Sequence, residues 1–112
     1  MLQLDDQLKI LHEYIGDDEE VNIPDGIEII KPFAFSHKHA LTFLVIPEST
    51  ILIDQQAFEN CDHLHDVVIY AKDLEINPMA FFNCSDFQVT GYAGSEVERF
   101  CELNYIPFIA MY

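Results

Sequence analysis

Six residues of the kinds that hold metals and move protons fall close together in this 112-residue chain: His37, His39, Cys61, Asp62, His63 and His65. Imidazoles at alternate positions can present two ligands on one side of a chain, and a carboxylate or thiolate beside them would help complete a divalent-cation site. The same residue types could serve nucleophilic catalysis, with a thiol activated by an imidazole that a carboxylate orients. Spacing argues against both chemistries. It matches none of the strong zinc patterns, no motif fixes a base beside a nucleophile, and the chain has no glycine-rich phosphate loop. No catalytic residue, metal ligand or cofactor is therefore assigned. These side chains read as polar turn residues, with Cys61 as a small buried hydrophobe.

What must position them is a repeat. Ala34-Phe35, Ala57-Phe58 and Ala80-Phe81 recur at a constant interval of 23 residues. Three units align without gaps: 21–43, 44–66 and 67–89. Their matching columns are Val21/Leu44/Val67, Ile23/Ile46/Ile69, Ile30/Ile53/Ile76, Ala34/Ala57/Ala80, Phe35/Phe58/Phe81 and Leu41/Leu64/Phe87. A unit this short cannot bury its own apolar face, so units must stack into a solenoid. The stretches Leu41–Ile46 and Leu64–Ile69 read as short strands, and Pro24 and Pro47 stop two of the strands just past their ends. Because every unit runs the same way, the strands lie parallel, about 4.8 Å apart. The expected fold is a short right-handed coil whose phenylalanines stack in one internal row, each neighbouring alanine letting the backbone turn close to them.

The ends should depart from the pattern to cap it. Residues 1–20 form an N-terminal cap, expected as a hairpin or strand. A helix over Gln3–Tyr14 competes, since Leu4, Leu8 and Leu11 fit helical spacing. Residues 90–112 form a C-terminal cap, in which Ser95-Glu96-Val97-Glu98 is a capping box opening a helix to Leu103. Asn104 is expected as its left-handed stop, followed by an extended tail at Ile106-Pro107-Phe108. The whole is one domain.

The chain is 50% hydrophobic, yet carries twenty acidic against five basic residues, a net charge of −15. Such a field repels nucleic acid and anionic membranes, and permits a basic partner. The opening MLQLDDQLKI resembles neither a secretory signal nor a membrane span, so the chain as given reads as cytoplasmic, or as cell-surface if it is a piece of a longer protein. Three cysteines, an odd number, argue against a disulfide framework. Cys61 and Cys84 are one interval apart, and in a reducing compartment they read as buried thiols.

The segment LTFLVIPESTILIDQQAFENC, Leu41 to Cys61, resembles the unit of the BspA-like, or Treponema pallidum-type, leucine-rich repeats. It has Thr50 where that unit has a second valine, the next unit has Tyr70 for its proline, and the first has Lys38 for its cysteine. The endings YIGDDEEVNIPDGI and GYAGSEVERFCELNYIPF look like the family's opening and closing caps, so the resemblance spans about residues 8 to 110. It implies a leucine-rich-repeat coil and an interaction module, commonly on the surface of bacteria and some protists. It brings no general catalytic residue.

If Leu41, Leu44 and Ile46 point inward, Phe43 and Val45 point out, and the 23-residue interval carries that row to Asp66 and Val68 and then to Val89 and Gly91. Phe43, Val45, Asp66, Val68 and Val89 are the candidate partner-binding residues, for a protein partner or for a second copy. Two readings of function follow. One is a non-enzymatic protein-binding module using this row. The other is an acidic inhibitor occupying a basic, nucleic-acid-binding surface, since nine of the twenty acidic residues lie before position 29.

Overall fold

The computed structural model describes residues 1–111 and shows a β-solenoid of about four turns with a single short helix. Its strands are β1 (Leu2–Leu4), β2 (Ile10–Tyr14), β3 (Glu20–Asn22), β4 (Ile29–Ile30), β5 (Phe43–Ile46), β6 (Leu52–Ile53), β7 (Asp66–Ile69), β8 (Glu75–Ile76), β9 (Gln88–Tyr92) and β10 (Phe108–Met111), with α1 (Glu96–Leu103) between the last two. They form two five-stranded walls, ordered β1-β2-β4-β6-β8 and β10-β9-β7-β5-β3. Every pairing is parallel except that of β1 with β2.

Sandwiched between the walls, Phe35 and Phe58 stack at 4.9 Å and Phe58 and Phe81 at 5.1 Å, nearly coplanar in orientation. Tyr14 extends the row at the N-terminal end, 5.1 Å from Phe35, and Phe87 abuts its other end, 4.8 Å from Phe81. Ala34, Ala57 and Ala80 are all buried beside it. Their carbonyls accept from the amides of Tyr14, Phe35 and Phe58 one rung earlier, which explains the small residue: the backbone itself is stacked at this column.

Departures from the repeat have local physical answers. Thr50, buried where a valine would stand, donates its hydroxyl to the carbonyl of Ile27 at 2.8 Å. Tyr70, unlike Pro47 before it, retains an N–H and donates to Ile46 at 3.0 Å. At the N-terminus the hairpin prevails over the helix. Asp5 accepts from the amides of Lys9 and Ile10, and Leu8 takes a left-handed conformation in the exposed turn. Leu4 and Leu11, spaced for a helix, instead pair across the hairpin.

α1 begins as expected: Ser95 Oγ accepts from the Glu98 amide at 3.2 Å, while the Glu98 carboxylate reaches back to the Gly94 amide at 2.7 Å. Its end is different. Asn104 has φ −109°, and the left-handed residue is Tyr105, at 57°. The Asn104 side chain donates to the Phe100 carbonyl, so it closes the helix as a hydrogen-bond cap without adopting a left-handed backbone. α1 packs over β8, and the tail beyond it becomes β10, one more parallel strand beside β9. Gly91 makes room for it, since a Cβ there would stand 3.1 Å from the Phe108 ring.

Candidate functional site

The outward face of the second wall is set by strand register. β3, β5 and β7 pair Glu20 with Phe43 and Asp66, and Asn22 with Val45 and Val68, at the 23-residue interval. β9 then breaks the interval: Asp66 pairs with Gln88, Val67 with Val89 and Val68 with Thr90. The third unit is one residue shorter, because Leu64 stands two residues before Asp66 whereas Phe87, its buried counterpart, stands one before Gln88. Val89 therefore points inward and is only 2% exposed, and Gly91 is buried as well. Neither belongs to the outer row, and the outward residues of β9 are Gln88, Thr90 and Tyr92. A shift of one residue reverses every side chain in a strand, so one deletion moves the whole strand's assignment. The local sequence carried a signal, since Val89-Thr90-Gly91-Tyr92 echoes Val67-Val68-Ile69-Tyr70 at 22 residues.

The resulting face runs Asn22–Val45–Val68–Thr90–Ile109 along one column and Glu20–Phe43–Asp66–Gln88 along its neighbour. Phe43, Val45, Asp66 and Val68 are half-buried by their flanking rungs. Gln88 donates to the Asp66 carboxylate at 2.7 Å, joining successive rungs of that second column along the stack. This makes a surface of Phe43 with β-branched and polar side chains, held in register by the ladder, with little rotamer freedom left to lose at the β-branched positions on binding.

The histidine turn is also assembled by the stack. His39 Nδ1 lies 2.8 Å from Asp62 Oδ1, and His63 Nδ1 lies 3.3 Å from the same oxygen while meeting the His39 carbonyl at 2.7 Å. The hydrogen bond from His39 holds the Asp62 carboxyl below the usual carboxylate range. Alongside, Asn83 donates to the Asn60 side-chain oxygen at 2.6 Å and Asn60 donates to His37 Nδ1 at 3.0 Å. All three occupy one left-handed column, with φ near 60°. His65 is not part of this group; it lines a surface depression with Asp66, Asp86 and Gln88. Among the described residues no group of three His, Cys, Asp or Glu side chains is placed to hold a metal ion.

All three cysteines are free thiols. Cys61 Sγ donates to the Phe35 carbonyl at 3.1 Å and Cys84 Sγ to the Phe58 carbonyl at 3.0 Å, so each thiol caps the aromatic row's backbone one rung back. Contact with Cys84, reinforced by burial, pushes the Cys61 thiol up, and burial raises Cys101 to about 12. Neither supplies a thiolate near neutrality. Near the C-terminal cap a depression of about 300 Å³ is lined by Lys72, Asp73, Tyr92 and Ser95, but Lys72 lies over the Tyr92 ring and the Ser95 hydroxyl is engaged as the helix cap.

A short coil of parallel rungs with an internal aromatic row and a regular outer strand face defines a leucine-rich-repeat module, a class that generally mediates protein interactions and is typically non-enzymatic. The family model described as BspA type leucine rich repeat region (6 copies) matches residues 13–98, and the chain belongs to that family. No curated protein and no solved structure gave a match. Among the described residues no helix is long and apolar enough to cross a membrane.

Proposed function

We propose that this chain is a non-enzymatic module that binds a protein partner through the outward face of β5, β7 and β9, centred on Phe43, Val45, Asp66 and Val68, with Gln88 and Thr90 continuing the rows. The observation that carries this reading is the register itself: Val45, Val68 and Thr90 align across three parallel strands as one uncharged column on a protein of net charge −15. Aligned columns on a rigid sheet give a partner main-chain-spaced contacts that need no rearrangement on binding. The acidic-inhibitor reading has no such observation behind it.

The test is a pull-down from the native host with wild type and with Phe43→Asp plus Val68→Asp. Both side chains stand on the outer face, so the double variant is expected to keep the wild-type circular dichroism and lose the partner. A folded double variant that still captures the same protein overturns the assignment. Retention that collapses steeply with added salt would instead mark contacts made by the carboxylates.

A further inference from the structure

The two ends of the strand wall differ in how they treat their unpaired edges. β3, at the N-terminal end, carries Glu20 and is preceded by Asp17, Asp18 and Glu19, with Pro24 just beyond it. On the other wall β1 is three residues long and its register slips between Gln3 and Leu4. Charge, proline and irregularity are the devices by which sheets discourage edge pairing. β10 carries neither charge nor irregularity, and Pro107 just before it turns its carbonyl to β9, so it removes no N–H from the open edge. Phe108-Ile109-Ala110-Met111 is a four-residue, uncharged strand bonded to β9 on one side, and nothing among the described residues pairs with its other side. Apolar surface gathers at the same end, with Ile109 47% exposed, Leu103 on α1 68% and Tyr105 95%.

We infer that β10 is a self-association edge, at which a second copy of this chain pairs its own β10 antiparallel about a two-fold axis. The backbone is suited to it. The Val89 amide donates to the Pro107 carbonyl at 2.9 Å, and in a parallel ladder the polar groups alternate sides. The groups of Ile109 thus serve β9, while the N–H and C=O of Phe108 and Ala110 face outward. Antiparallel pairing of Phe108 with the second copy's Ala110, and of Ala110 with its Phe108, satisfies all of them and sets the two Ile109 side chains face to face at the axis. An isologous contact of this kind closes at two copies.

The charge distribution also selects this end. Residues 1–28 hold nine carboxylates against one lysine, whereas residues 90–112 hold Glu96, Glu98 and Glu102 against Arg99. Four rung spacings of about 4.8 Å separate β3 from β10, roughly 19 Å. That exceeds twice the screening length of about 8 Å at physiological salt. Joining two molecules through β10 keeps their acidic ends apart, and any other end-to-end arrangement brings one of them into the contact. The dimer also merges two outward strand faces into one continuous surface of double length, yet it does not depend on what that face binds.

Sedimentation equilibrium on the full chain, over a wide concentration range up to the solubility limit, tests this directly. The expected mass rises to twice 12.9 kDa and stops there, with the transition moving to lower protein concentration as salt screens the residual repulsion. Ala110→Pro removes an outward-facing N–H and leaves the β9 side of the ladder intact, and Ile109→Lys sets like charges opposite each other at the axis. Either variant is expected to be monomeric with an unchanged circular dichroism spectrum, and if the proline variant fails to fold, the lysine variant decides. Phe43→Asp plus Val68→Asp should still dimerise. A wild type that stays monomeric throughout, a mass that climbs past two copies, or a dimer that survives Ile109→Lys overturns the inference.

Discussion

Removing the ring of Phe58 is the most direct probe of how this coil is held together. The side chain is fully buried at the centre of the aromatic row, stacked on Phe35 at 4.9 Å and on Phe81 at 5.1 Å. Phe58→Ala leaves a ring-sized void that neighbouring rungs cannot fill, because each is pinned by its own backbone ladder; such substitutions cost about 3–5 kcal/mol. Two offset ring contacts, at about 0.5–1.5 kcal/mol each, place this site toward the upper part of that range. A chain of this length has about 6–17 kcal/mol of total stability, so a quarter or more of it rests on one side chain. At about 2.1 cal/mol/K of unfolding entropy per residue, 4 kcal/mol corresponds to a melting temperature lowered by roughly 17 °C. Thermal and urea unfolding followed by circular dichroism measure it, with Phe82→Ala as control. Phe82 follows Phe81 in sequence but is 46% exposed and outside the aromatic row, and its truncation is expected to cost less than about 1 kcal/mol. If Phe58→Ala and Phe82→Ala prove equally mild, the internal row is not what stabilises the stack.

Two further outcomes follow from the turns. The Asp62 carboxyl is held below its ordinary range in the folded chain, so the stability it contributes is present above the unfolded value near 3.9 and is lost as pH falls below it. Asp62→Asn should therefore lower stability at neutrality, where that contribution is fully present, and the difference from wild type should shrink as pH falls below about 4, which flattens the acid limb, as measured by urea titrations at stepped pH. His37, at φ 60°, occupies a column whose other members are asparagines. Asparagine tolerates that conformation better than other side chains, so His37→Asn should raise stability by up to about 1 kcal/mol while extending the amide ladder through Asn60 and Asn83, a gain that thermal unfolding would register.

The coil was legible in the sequence because a solenoid makes nearly all its contacts between adjacent rungs, so a periodic column maps onto a physical row. Phe35, Phe58 and Phe81 announced the aromatic stack by spacing alone. Tyr14 did not, since it enters the same stack 21 residues before Phe35, through a hairpin whose geometry differs from a regular rung. Candidate-face residues followed the same rule. Phe43, Val45, Asp66 and Val68 lie on strands that keep the interval. Val89 lies beyond a one-residue shortening that a gap-free alignment through Phe87 conceals. The left-handed column at His37, Asn60 and Asn83 showed in composition only as two asparagines, because φ is set by how the turn closes and leaves a faint trace in residue type.

Sequence by itself determined the unit, its direction, the inward columns and the class of fold, because these depend on apolar periodicity, which any stacking of equal units must honour. Tertiary structure decided what periodicity cannot express: which way β9 faces, what each thiol and hydroxyl bonds to, and that the tail beyond α1 returns as β10. Those outcomes turn on register and on where the chain closes after the repeat stops. A change of a single residue there, as between Phe87 and Gln88, reverses a strand while hardly altering the pattern.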